Sequence, residues 1–136
     1  MKKFVSMLIV LCMSFCLASA TAIAAADVPG ISPYYLYASD VKPTATWTGT
    51  NSITFSCEVR GKDSATRVKV YVYLQEKVNG VWKDVDYATK DVNAGSTTAS
   101  KTYNSASKSK DYRAYASVYV YSGSAYEHIE KNSTTI

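Results

Sequence analysis

Arg67-Val68-Lys69-Val70-Tyr71-Val72-Tyr73-Leu74-Gln75-Glu76-Lys77-Val78, followed by Asn79-Gly80, is the stretch that decides the fold. From Val68 to Leu74 every second residue is apolar, the period of a strand with one buried face. Val68, Val70, Val72 and Leu74 are expected inward, with Arg67, Lys69, Tyr71 and Tyr73 outward. Asn79-Gly80 is the strongest short hairpin signal, because both residues tolerate the positive φ of a type I′ turn. A return strand is therefore expected from Val81 to about Asp91. Within it Trp82 and Val85 are three apart, which requires either a β-bulge or an outward Trp82. Asp84 and Asp86, expected on one face at i, i+2, read with Asp91 as solvated acids, since the twelve-residue calcium-loop pattern is missing.

The same period recurs on both sides of this hairpin. Ile53-Thr54-Phe55-Ser56-Cys57-Glu58-Val59 alternates throughout, with Ile53, Phe55, Cys57 and Val59 inward. Tyr112 to Tyr121 is the clearest strand of all, with Ala114, Ala116, Val118 and Val120 inward and Arg113, Tyr115, Ser117, Tyr119 and Tyr121 outward. Asn93-Ala94-Gly95-Ser96 reads as a turn before a polar strand around Thr97 to Tyr103, and Asn104 to Lys110 as a Ser/Lys-rich loop. Ser122-Gly123-Ser124 turns the chain into a last strand, Tyr126 to about Thr134. Tyr34 to Trp47, interrupted by Pro43, supplies one or two edge strands. No stretch keeps the i, i+3, i+4, i+7 apolar spacing of an amphipathic helix. About seven strands at this turn spacing predict an all-β, two-sheet antiparallel sandwich.

Lys110-Asp111-Tyr112-Arg113-Ala114-Tyr115-Ala116 resembles the sixth strand of fibronectin type III and related immunoglobulin-like domains. In those domains an early tyrosine ties its hydroxyl back to the preceding corner, a role the resemblance gives to Tyr112. The chain lacks the second-strand tryptophan of fibronectin modules and the disulfide of antibody domains, so the resemblance implies architecture alone. Tyr73-Leu74-Gln75, then Asn79-Gly80-Val81-Trp82, the Tyr112-Arg113 strand and the strand after the Ser-Gly turn are similar to small uncharacterised secreted proteins of Gram-positive bacteria. These shared motifs are structural, and they imply no activity and no functional residue.

The first 26 residues set the compartment. Lys2 and Lys3 precede an apolar run from Phe4 to Leu17, and Ala18 to Ala26 is rich in small residues. That order is a secretory signal peptide, with cleavage expected after Ala24 or Ala26. The apolar run is shorter than the roughly 20 residues a spanning helix needs, so no membrane span is expected after cleavage. Cys12 and Cys16 follow Leu11 and Phe15, too large for a lipid-modification site, and leave with the signal. Residues 27–136 then form one domain, a length that buries around two-thirds of its surface. Cys57 alone remains, so no internal disulfide forms and packing must supply the stability. Losing Lys2 and Lys3 takes 15 basic residues to 13 against 11 acidic ones, no footprint for nucleic acid or for a membrane surface. No sorting motif or hydrophobic tail follows Glu130, so any attachment to a cell is expected to be non-covalent.

The residues for catalysis are sparse. His128 is the only histidine, and no nucleophile can be assigned to it from sequence. Cys57 reads as a small core hydrophobe. Ser105-Ala106-Ser107-Lys108 and Ser107-Lys108-Ser109-Lys110 match a Ser-x-x-Lys pattern that requires a helix start and companion motifs, both missing here. One His and one Cys do not make a zinc site, so no metal or other cofactor is expected.

What stands out is tyrosine: all 12 lie beyond the signal, against three Phe in the whole chain. If the third and sixth strands are neighbours, Tyr71, Tyr73, Tyr115, Tyr119 and Tyr121 share one outer surface, with Arg67, Lys69 and Arg113 toward one end. Half-exposed, five such rings make a patch of roughly 400 Å², the size at which exposed patches mark interaction sites. Tyrosine and arginine dominate binding hot spots. The expectation is a secreted, non-catalytic binding module for a cell-wall or host glycan or for a protein. The alternative is a structural or antagonistic secreted protein that self-assembles through edge strands. Cross-strand tyrosine pairs also stabilise a sheet by about 0.2–1 kcal/mol each, so the same residues have a purely structural use.

Overall fold

The computed structural model describes residues 34–136; the signal peptide assigned to residues 1–26 lies outside them. Seven strands are present among the described residues: β1 Ala38–Trp47, β2 Ile53–Gly61, β3 Arg67–Val78, β4 Val81–Val92, β5 Ser96–Tyr103, β6 Tyr112–Ser122 and β7 Ala125–Asn132. They form two antiparallel sheets, one in the order β1-β2-β5 and the other β4-β3-β6-β7. β4 stays hydrogen-bonded to β3 instead of joining β5, which divides the strands three and four between the two sheets of a β-sandwich. The N-terminal segment forms a single strand, β1, on the edge of its sheet. Pro43 sits within it opposite Cys57, where an edge position spares the ladder the N–H that proline lacks.

The alternation read from sequence sets the core. Ile53, Phe55, Cys57 and Val59 from β2 face Val68, Val70, Val72 and Leu74 from β3 and Ala114, Ala116, Val118 and Val120 from β6, all fully buried. Two tight turns hold these registers. Asn79 and Gly80 both have positive φ (51° and 81°), as a type I′ turn requires. Gly123 takes φ 62° at the first position of the Ser122–Ala125 turn, the glycine position of a type II′ turn. Gly61 answers to a different demand. Its N–H donates to the carbonyl of Gly95 at 2.7 Å, and an added Cβ would lie 2.4 Å from that oxygen.

Burial does not stop at Leu74. The next inward residue is Glu76, 8% exposed. Its carboxylate accepts from Lys110 Nζ at 2.7 Å and from the Tyr112 hydroxyl at 3.0 Å. The same hydroxyl accepts the Ser107 N–H at 3.1 Å, so Tyr112 does tie back to the corner before β6. Trp47 meets the Tyr112 ring edge-on, with centroids 5.8 Å apart, and Lys108 covers the indole at 3.6 Å. Lys110 holds the Glu76 carboxyl below its ordinary range, and burial raises the Tyr112 phenol.

β4 carries both features that its broken alternation allowed. The register against β3 shifts between Leu74 and Gln75, which pair with Asp86 and Asp84 and leave Val85 as the extra residue. Trp82, opposite Lys77, points outward as well. The bulge corrects one expectation: Asp84 and Asp86 do not share a face. Asp84 accepts from Gln75 on the outer side at 2.8 Å, whereas Asp86 reaches across to Lys101 of β5 at 2.5 Å. Asp91 is not simply solvated either, since Arg67 holds it through two hydrogen bonds of 2.8 and 2.6 Å.

Candidate functional site

β3 and β6 are neighbours, and the outer face of their sheet is a grid fixed by register. Going from β4 to β7, Tyr87, Tyr73, Tyr115 and Asn132 make one row; Thr89, Tyr71, Ser117 and Glu130 the next; and Asp91, Lys69, Tyr119 and His128 the one after. Arg67, Tyr121 and Tyr126 follow at one end, and Asp84, Gln75 and Arg113 lie at the other. All five predicted tyrosines stand on this face, half-buried.

The three basic residues do not gather at one end. Arg67 lies opposite Tyr121, while Arg113 lies opposite Gln75, eight residues further along β3, a separation of roughly 27 Å. The reason is the antiparallel pairing: a residue early in β3 is level with one late in β6. Arg67 is bound by Asp91, which raises the guanidinium and lowers the carboxyl. Its head also lies 5.1 Å from the Tyr121 ring. Lys69 lies over Tyr71 at 5.1 Å, and the Tyr71 hydroxyl strengthens its charged form. At the far end Arg113 covers the Trp82 indole at 4.3 Å and donates to Gln75 Oε1 at 2.8 Å. Partial burial there weakens its charged form.

The rings interact in two groups. Tyr73 has Tyr87 on one side at 6.2 Å and Tyr115 on the other at 6.0 Å, in a tilted ladder across three strands. Tyr119 stacks on His128 at 4.4 Å with only 10° between planes, and Tyr126 lies 5.9 Å from Tyr119 and 5.6 Å from Tyr121. Trp82, Tyr87, Tyr126, His128 and Glu130 thus belong to the face although the sequence reading left them out. Tyr87 requires counting through the Val85 bulge. Tyr126 and His128 require knowing that the Gly123 turn has two residues, which pairs Tyr121 with Tyr126; the Ser-Gly-Ser signal marked a turn without giving that register.

Between the two ring groups lies a polar cluster. Ser117 Oγ and His128 Nε2 are 2.8 Å apart, and the Tyr115 hydroxyl donates to Glu130 Oε1 at 2.6 Å. Burial and that carboxylate together push the Tyr115 phenol well above its ordinary value. His128 therefore has the partner that sequence alone did not supply. The arrangement is not that of a catalytic triad, in which one ring nitrogen meets the nucleophile and the other the carboxylate. Here Nε2 faces both Ser117 and Glu130, the latter at 3.9 Å, so the carboxylate does not orient the ring for proton transfer. Cys57 is buried away from this face, and burial pushes its thiol up to about 12, which withholds the reactive thiolate. Ser105, Ser107 and Ser109 lie on a loop and turn, outside any helix. Among the described residues no group of three His, Cys, Asp or Glu side chains is placed to hold a metal ion. No described helix is long and apolar enough to cross a membrane.

The chain matches no protein-family model and no curated protein sequence.

Proposed function

We propose that this chain is a secreted, non-catalytic binding module that recognises a cell-wall or host glycan, or another protein, through the outer face of β4-β3-β6-β7. One observation carries the reading. Tyr71, Tyr73, Tyr87, Tyr115, Tyr119, Tyr121 and Tyr126 share one outer surface, and a contiguous aromatic patch of this kind is what marks interaction sites. Secretion rests on the signal-like residues 1–26 and agrees with the resemblance to small secreted proteins of Gram-positive bacteria. His128, whose contacts with Ser117 and Glu130 lack triad geometry, and the buried Cys57 support a non-catalytic role.

The test is retention of the purified protein on cell walls and on a glycan panel. The comparison is a variant carrying Tyr71→Ser, Tyr115→Ser and Tyr119→Ser, shown by its thermal melt to be folded. Retention that disappears in the folded variant supports the reading; equal retention by both proteins sinks it. A second reading, self-assembly, draws on the placement of Tyr87 and Tyr126, each 59% exposed, on the two edge strands β4 and β7. Sedimentation velocity across a concentration series separates the two: a stable monomer removes self-assembly.

A further inference from the structure

We infer that the saddle centred on Ser117 is a subsite for one ring of a neutral, hydroxyl-rich glycan; the inference rests on the binding-face reading and narrows it. Ser117 is the one small outward side chain of β6 among Arg113, Tyr115, Tyr119 and Tyr121. Tyr115 and Tyr119 flank it two positions away on each side, so the walls stand about 13 Å apart along the strand. Tyr71 and Glu130 are its neighbours across the strands. The result is a dip with aromatic walls and a polar floor, the combination by which small-molecule sites fix orientation with a few placed polar groups.

The floor matches a sugar's hydrogen-bonding pattern. Ser117 Oγ keeps hydrogen-bonding capacity for a sugar hydroxyl beyond its 2.8 Å contact with His128 Nε2, whose single site that contact uses. Glu130 spends Oε1 on Tyr115 and keeps Oε2 for a ligand, on a side chain 57% exposed. A carboxylate accepts strongly from hydroxyl donors, and two adjacent sugar hydroxyls can converge on it. One side of the sugar ring would lie against Tyr115, since walls about 13 Å apart do not both touch one ring and Tyr119 is already stacked on His128.

Charge and topology argue against the other ligands. Arg67 is neutralised by Asp91, and Arg113 is held over Trp82 at the far end. Glu130, the cross-strand neighbour of Ser117, is the carboxylate of the dip and repels an anionic glycan, while Lys69 is held over the Tyr71 ring. An extended peptide gains affinity by adding main-chain hydrogen bonds at a sheet edge. Ser117 lies on β6, whose backbone is paired to β3 on one side and β7 on the other. A ligand there meets side chains only, which suits a sugar.

The experiment is a titration of the isotope-labelled protein with neutral hexose and N-acetylhexosamine oligosaccharides, followed by amide chemical-shift mapping. Shifts should centre on Ser117, His128 and Glu130. Ser117→Leu, which fills the dip, should weaken binding at least tenfold, and Glu130→Gln several-fold. Thr44→Ala, on the opposite sheet, should leave it unchanged. Mapping on the unmodified protein keeps the test valid even if a variant misfolds. The inference is overturned if shifts map elsewhere or if Ser117→Leu binds as well as the original. It is also overturned if only acidic glycans or a protein are captured. In those last two cases capture that still depends on Tyr71, Tyr115 and Tyr119 leaves the binding-face reading standing without the sugar subsite.

Discussion

The hydroxyl of Tyr112 donates to Glu76 across the floor of the sandwich at 3.0 Å, joining the first residue of β6 to the last buried residue of β3. The two are also paired in register. Because the same oxygen accepts from Ser107, one atom fixes the loop before β6, the strand itself and its neighbour. Tyr112→Phe keeps the ring against Trp47 and leaves the Ser107 N–H and one Glu76 oxygen without that partner. The expected loss is about 1–3 kcal/mol, read as a lower denaturant midpoint at unchanged slope. A midpoint equal to that of the original protein would show that the hydroxyl contributes nothing.

Acid should find the same corner. Lys110, with the Tyr112 hydroxyl, stabilises ionised Glu76 and depresses its pKa below the ordinary 4.5. A carboxyl with a depressed folded-state pKa contributes stability that is complete above its unfolded pKa and lost as pH falls through the folded value. Asp91, depressed by Arg67, acts in the same direction. Melting temperature should therefore hold steady above pH ~5 and fall below about 4.5. Glu76→Gln should flatten part of that fall and leave the Asp91 share. An unchanged acid profile in the variant would remove Glu76 from the account.

The strands were legible because Val68 to Leu74, Ile53 to Val59 and Tyr112 to Val120 each bury one face, and period-2 burial is written directly into residue order. The outward set of β3 and β6 followed from the same alternation, and so did the five tyrosines. What alternation does not encode is relative register. Whether Arg113 lies beside Arg67 or far from it depends on which residues pair, and only the antiparallel β3–β6 ladder decides that. The Val85 bulge moved Asp86 to the inner side for the same reason: one unpaired residue reverses the face of everything beyond it. Glu76 escaped notice because its burial depends on Lys110 and Tyr112, 34 and 36 residues away.

Glu127 makes an unusual contact for an edge-strand carboxylate. Its Oε1 accepts the Leu36 N–H at 2.8 Å, and its Oε2 accepts those of Tyr37 and Ala38 at 2.9 and 3.2 Å. The side chain thereby holds the start of β1 against β7 and satisfies three main-chain donors. Glu127→Ala should speed hydrogen exchange of the Tyr37 and Ala38 amides by at least tenfold. Amides in the centres of β3 and β6 should exchange as before, since local opening is independent of the core there. Uniform acceleration throughout the chain would instead make Glu127 part of the global fold.

Tyr73 and Tyr126 separate the two uses of the aromatic face. Tyr73 sits on a central strand with a tyrosine ring on either side, at 6.2 and 6.0 Å. Tyr126 is on the edge and 59% exposed. Cross-strand aromatic pairs contribute roughly 0.2–1 kcal/mol each. Tyr73→Ser should therefore lower stability by about 1 kcal/mol or somewhat more, summed over two pairs. Tyr126→Ser should cost less than Tyr73→Ser, because its contacts with Tyr119 and Tyr121 lie at an exposed edge. Denaturant unfolding of the two variants gives the ranking. If the face serves only as sheet reinforcement, ligand retention will be absent in every variant and the stability ranking is all that varies. If it binds, Tyr119→Ser should lose more retention than Tyr73→Ser for a comparable cost in stability, because Tyr119 borders the Ser117 saddle. A strict match between lost retention and lost stability across the three variants would reduce the tyrosines to packing.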